Sequence, residues 1–202
     1  MKARALAVGL LLSASAARAD GVDRLKDFVH DVKTGRAQFV QTVTSPDGKR
    51  TKSSSGSFEF ERPNHFRFTY EHPFSQQIVA DGQKVWIYDA DLNQASARNL
   101  ASALGATPAA LLAGGGLDKD FTLSAQPPKD GLEWVLAQPK QADGAFKSVR
   151  IGFRGKELVT VEVVDAFDQR SALQFSQFTA GVAFAPDAFH YTPPAGADVI
   201  EQ

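Results

Sequence analysis

Residues 58–70 read Phe-Glu-Phe-Glu-Arg-Pro-Asn-His-Phe-Arg-Phe-Thr-Tyr. Side chains alternate between the two faces of a strand, so Phe58 and Phe60 share one face of a first strand. Phe66, Phe68 and Tyr70 share one face of a second, and Pro63-Asn64 supplies the turn between them. The result is a wall of rings with one cation, Arg62, at its rim. Catalysis needs converging polar groups, and this wall has few. It suits an apolar ligand.

Turn and strand signals continue on both sides. Ser45-Pro46-Asp47-Gly48 is a turn between strands at 37–44 and 51–61. Asp81-Gly82 is a hairpin signal between strands at 76–80 and 84–88, and 94–98 pairs with the latter. Further strands are expected at 121–125, 133–138, 148–153, 157–164 and 172–178. Connections this short leave no room for helical crossovers, so the sheet is antiparallel. The tail at 184–194 is aromatic and proline-bearing, and is expected to pack on the sheet.

Helical signals are few. Val22, Leu25, Phe28, Val29 and Val32 recur at helical spacing over residues 20–33. Asp20 is placed to cap that helix and Gly35 to end it. Two Ala/Leu-rich stretches, 100–104 and 107–112, interrupt the strands, and Thr107-Pro108 is a good helix start. A sheet of ten or eleven strands must curl. The fold class expected is mainly β with α: an unclosed, half-open antiparallel β-barrel with a short α-helical lid over its concave face. Phe58, Phe60, Phe66, Phe68 and Tyr70 then line that face, with Leu111 and Leu112 of the lid opposite.

The first residues carry a location signal. Lys2 and Arg4 precede a short apolar run, and Ala17-Arg18-Ala19 is a small-x-small cleavage pattern. Residues 1–19 are expected to be a cleaved signal peptide and 20–202 one domain. Loss of three basic residues from 22 leaves 19 against 23 acidic ones, a net charge of −4. That balance argues against nucleic acid as a partner. The 202 residues contain no cysteine, so an exported chain of this sequence is held by burial and not by disulfides.

No catalytic constellation stands out. His30, His65, His72 and His190 fall in no zinc-ligand spacing, and there is no nucleophile elbow or phosphate loop. Neither an enzymatic role, a metal nor a cofactor is expected. A carboxylate-dependent glycan hydrolase is the weakest alternative. Taken singly, each ring of the wall is more readily core than ligand surface. Arg62 has two readings from the residues alone: a surface cation paired with Glu59 or Glu61, or a fork whose donors tie several helix carbonyls.

The ordered set Phe39-Val40-Gln41, Arg62-Pro63-Asn64 then Phe66, and Asp81-Gly82 then Trp86 and Tyr88 resembles the periplasmic outer-membrane lipoprotein carriers of the LolA family in Gram-negative bacteria. Thr107-Pro108, Asp168-Gln169-Arg170 and Phe189-His190-Tyr191-Thr192-Pro193-Pro194 extend the match over the mature chain. The resemblance implies a monomeric chaperone in the periplasm whose cavity shields lipoprotein acyl chains. It implies loading by the inner-membrane ABC transporter LolCDE and delivery to the outer-membrane receptor LolB. It also implies that Arg62 latches the lid through lid carbonyls and that Phe66 belongs to the cavity. Ala109 and Ala110 are smaller than the family pattern leads one to expect, which leaves a looser lid. A receptor of the LolB kind would need an N-terminal cysteine for its anchor, and a periplasmic lipid or lipoprotein sensor of the same fold remains the alternative.

Overall fold

The computed structural model describes residues 20–100, 112, 117–141 and 146–201. Helix α1 (Gly21–Asp31) leads into a run of strands. These are β1 (Thr34–Thr44), β2 (Thr51–Glu61), β3 (His65–His72), β4 (Gln76–Asp81), β5 (Lys84–Asp89) and β6 (Gln94–Asn99). A short α2 (Leu117–Asp120) precedes β7 (Phe121–Lys129), β8 (Leu132–Pro139), β9 (Phe146–Arg154), β10 (Glu157–Asp165), β11 (Arg170–Ala180) and β12 (Asp198–Glu201). All twelve strands form one sheet in the order β12-β6-β5-β4-β3-β2-β1-β11-β10-β9-β8-β7. β7 and β12 are its two edges, so the sheet is unclosed.

The expected architecture holds, with three corrections. Among the described residues the count is twelve rather than ten or eleven, because the tail adds β12. That strand runs parallel to β6, while the other neighbours are antiparallel. Gly35 does not end the helix: α1 stops at Asp31, Val32 is extended, and Gly35 lies within β1. The expected signal peptide, the lid positions Ala109, Ala110 and Leu111, and the helix start Thr107-Pro108 lie outside the described residues. Among the described residues no helix is long and apolar enough to cross a membrane.

The ends of α1 follow from its sequence. Asp20 caps it, its carboxylate accepting from Val22 N at 2.9 Å and Asp23 N at 3.0 Å. Asp20→Ala should cost about 1 kcal/mol. For a domain of this size that is a fall in melting temperature of about 2–4 °C, measurable by circular dichroism. The apolar stripe Gly21, Leu25 and Phe28 is buried against β7, β8 and β9. A Cβ on Gly21 would stand 2.1 Å from the Trp134 carbonyl oxygen, so a side chain there would push the helix off the sheet.

One cluster of buried side chains gathers residues from α1, from nine of the strands, and from Leu100 and Leu112. Phe28 alone meets Phe60 of β2, Phe153 of β9 and Phe178 of β11, with ring centroids 6.1, 5.6 and 5.8 Å away. One side chain can touch strands this far apart in the sheet order only if the sheet wraps around it. The concave face is therefore the core.

The convex face has its own cover. Residues 181–197 cross behind β3 to β6, placing Tyr191 against Trp86 and Tyr88. Phe189 packs on Phe184 and beside His65. Arg67 donates to the Ala188 carbonyl, and Asn93 Nδ2 donates to the Gly196 carbonyl at 2.9 Å. The expectation that the tail packs on the sheet is met, on the face away from the ring wall.

Candidate functional site

The ring wall is a continuous floor on the concave face. Register places Phe60 opposite Phe66 and Phe58 opposite Phe68, with Tyr70 opposite Gly56. Phe58 stacks on Phe68 at 4.4 Å and on Phe60 at 5.5 Å. Phe39 of β1 meets Phe68 and Tyr70 edge-on at 5.4 and 5.1 Å. Edge and offset contacts of this kind add roughly 0.5–1.5 kcal/mol each beyond area burial.

Glycines make room for the rings. Gly35, opposite Phe60, leaves 2.7 Å between its absent Cβ and the Phe60 ring edge. Gly56 stands between Phe39 and Tyr70 in the register, so those two rings meet above it. The floor is thus flat where the backbone lacks side chains and raised where the rings stand.

Each expected floor residue can be placed. Phe58 and Phe60 are fully buried, Phe66 and Phe68 nearly so, and Tyr70 is half-buried against them. Leu112 is buried in the same cluster. Leu111 lies outside the described residues. The rings are covered by the protein's own apolar groups: Phe28, Leu100, Leu112 and the opposite wall of Val149, Ile151 and Phe153. Phe28, Phe153, Phe175 and Phe178 escaped the sequence reading of the site. Their periodic placement was legible, but which rings they would meet depends on how far the sheet curls.

Arg62 lies at one end of this floor. Its Nε donates to the Val32 carbonyl at 2.9 Å, just past the end of α1. The guanidinium also lies over the rings of Phe60 at 4.8 Å and Phe28 at 5.3 Å. Its two terminal nitrogens are buried and have no hydrogen-bond partner among the described residues. Burial lowers its pKa to about 10, so it stays charged at neutral pH. The reading of Arg62 as a surface cation is corrected here. Glu59 is engaged by Arg36 at 2.7 Å, with Arg67 at 3.9 Å, on the convex face. Arg62 points the other way, and among the described residues it ties one carbonyl, that of Val32, which lies outside the expected lid, rather than several.

The far end of the floor is polar. Tyr70 donates its hydroxyl to Gln41 Oε1 at 2.9 Å, and Ser54 Oγ donates to the same oxygen at 3.5 Å. Burial pushes the Tyr70 phenol up to about 12, so it remains a donor across the physiological range. The site is an apolar trough with a cation at one end and neutral polar groups at the other.

Comparison with known proteins agrees with this fold. The family model described as "Outer membrane lipoprotein carrier protein LolA" matches residues 30–192. This chain belongs to the LolA family. An outer-membrane lipoprotein carrier protein of Methylibium petroleiphilum is 60% identical over 201 residues, covering 100% of this chain and 99% of that one. One from Leptothrix cholodnii is 56% identical over 187 residues, covering 93% and 88%. Among solved structures, a LolA superfamily protein from Nitrosomonas europaea superposes with a TM-score of 0.51 at 10% identity, over 86% of this chain and 99% of that one. At that identity the likeness is one of fold. The fold shared with it is that of the open, unclosed sheet. Trp86 and Tyr88, part of the sequence resemblance to LolA proteins, stand on the opposite face under the tail.

Proposed function

We propose that this protein is a periplasmic carrier of outer-membrane lipoproteins, holding their acyl chains on the floor of Phe58, Phe60, Phe66, Phe68 and Tyr70. In this reading residues 1–19 direct export and are removed. The inner-membrane transporter LolCDE loads the carrier, and the outer-membrane receptor LolB unloads it. The carrier acts as a monomer and performs no catalysis. The observation that carries the reading is the ring floor on the concave face, met at one end by Phe28 of α1, with Arg62 bound to the Val32 carbonyl just past that helix. Family membership, and the carrier names of close relatives, support it.

The physics favours a soluble carrier of this design. Each acyl CH₂ left in water costs about 0.8 kcal/mol, so cargo in transit must be enclosed. The floor shares one buried cluster with Phe28, Leu100 and Leu112, and acyl chains compete with those residues for the same apolar surface. Loading then displaces part of the cover, and unloading restores it. Arg62 biases this exchange. With the cover closed it has the Val32 carbonyl. Acyl chains offer no acceptor, so a loaded floor strands the guanidinium. The arginine thus disfavours the loaded state and promotes release.

Arg62→Leu should therefore retain cargo. A hydrogen bond to a charged group is worth roughly 1.5–3 kcal/mol, so release to the receptor should fall by about 10- to 100-fold. Stability of the empty protein should shift by no more than about 1 kcal/mol, because the lost bond is offset by removal of a buried charge. Transfer to receptor-bearing vesicles and a denaturant melt separate the two effects. If the variant only unfolds, Arg62 is structural. The whole reading is tested by asking whether the purified protein releases triacylated lipoprotein from inner-membrane vesicles holding the transporter and ATP. No release under those conditions would sink it.

A further inference from the structure

We propose that Gln41, with Tyr70 and Ser54, is the subsite for the ester or amide carbonyl where an acyl chain joins its headgroup. The floor thereby acquires a direction. Methyl ends lie toward Arg62 and the carbonyl end toward Gln41. The inference rests on the acyl-binding reading above.

The concave face of β1 to β3 changes character row by row. Register gives Gly35–Phe60–Phe66, then Ala37–Phe58–Phe68, then Phe39–Gly56–Tyr70. These three rows are apolar save for the Tyr70 hydroxyl. The next pair along is Gln41–Ser54, and beyond it Val43–Lys52 brings an exposed cation to the rim. From Gly35 to Phe39 is four residues, about 13 Å of strand. One acyl chain spans half of a bilayer core, about 15 Å. A chain whose methyl end lies in the Phe60–Phe66 row, on the Arg62 side, thus brings its carbonyl just past the Phe39 row, next to the Gln41 side chain. The opposite direction would set the carbonyl beside Phe60 and Phe66 and the methyl end among polar groups.

The chemistry of the row fits an acceptor. Gln41 Oε1 already accepts from Tyr70 and Ser54. That holds Oε1 in place and leaves the Nε2 group on the other side of the amide. Gln41 is half-buried, and among the described residues its Nε2 donates to no group. An ester carbonyl only accepts, and an amide N has two protons to give. Gln41 belongs to the Phe39-Val40-Gln41 stretch, and the ring floor itself leaves it without a role. The competing explanation is that Gln41 serves only to satisfy the Tyr70 hydroxyl.

Two probes separate these explanations in the mature protein: a fluorescent tripalmitoyl-cysteinyl lipopeptide, rich in carbonyls, and diphenylhexatriene, which has none. Gln41→Leu should lower affinity for the lipopeptide relative to diphenylhexatriene by about tenfold, the worth of a hydrogen bond or slightly more. Tyr70→Phe keeps the ring but frees the amide, and should lower the ratio by a smaller factor. An unchanged ratio in both variants overturns the inference and leaves the carrier reading standing. Wild-type protein that binds neither probe overturns both. Should Gln41→Leu fail to fold, direction is read in the wild type with photoreactive chains. A diazirine at the terminal carbon should label the Phe60–Phe66 end, and one beside the carbonyl should label Gln41 or Ser54. The reverse pattern rules the inference out.

Discussion

Gly56→Ala is expected to lower stability by about 3 kcal/mol, the upper end of what overpacking usually costs. The added Cβ would fall 1.8 Å from the Thr69 carbonyl oxygen and 2.9 Å from its carbon, with Tyr70 Cα at 3.0 Å. All three are backbone atoms of the neighbouring strand. None can swing aside as a flexible side chain would. The clash sits where the register of β2 and β3 shifts, between Ser55 and Gly56, so relief requires parting the strands. It also lies beneath the Phe39–Tyr70 ring contact, and displacement would carry those rings with it. The melting temperature should fall by about 6–12 °C, at 2–4 °C per kcal/mol for a domain of this size. Gly48→Ala is the control. That glycine has a φ of +72° but open space around it, and its replacement should cost only about 1 kcal/mol. Equal, small effects at both positions would mean that the strands are not pinched at Gly56.

Phe58→Ala should cost about 4 kcal/mol, within the range for emptying an aromatic site in a core. Phe58 is 0% exposed and meets Phe60, Phe68 and Phe175. Removing it leaves a hole that its ring neighbours, themselves fixed in register, cannot fill. Phe167→Ala provides the contrast. That ring is 84% exposed in the turn between β10 and β11, and its loss should stay within about 0.5 kcal/mol. Denaturant midpoints at constant slope would measure both. A small effect at Phe58 would mean that its ring lines an empty space in the resting protein. The large effect expected follows from a floor that is packed when no cargo is present. On the proposed reading, cargo then displaces the protein's own residues.

Much of this was legible before any coordinates. The alternation of Phe58, Phe60, Phe66, Phe68 and Tyr70 fixed their common face, because a strand repeats every two residues. The helical spacing of Val22, Leu25 and Phe28, with Asp20 ahead of them, marked α1 and its start. Pro46-Asp47-Gly48 and Asp81-Gly82 marked turns through their own conformational preferences, and Gly82 indeed takes a φ of +91°. Gly35 misled as a helix stop. A glycine can end a helix or clear space for a ring, and the choice depends on Phe60, which is 25 residues away. β12 was missed because Val199 and Ile200 form too short a run to register as a strand. Their pairing depends on the tail bringing them back to β6, where the Asp198 amide donates to the Asn93 carbonyl at 3.0 Å.

By itself, then, the sequence determined which residues form strands, which side of each strand is apolar, and where the chain turns. These are consequences of local geometry and the solvent preference of side chains. Only the tertiary structure decided that the sheet curls far enough for Phe28 to touch β2, β9 and β11 together. It alone decided that Arg62 turns from Glu59 toward Val32, and that Gln41 and Tyr70 meet across the glycine row. Each of those outcomes depends on strand twist and register summed over the whole sheet, and no local pattern encodes that sum.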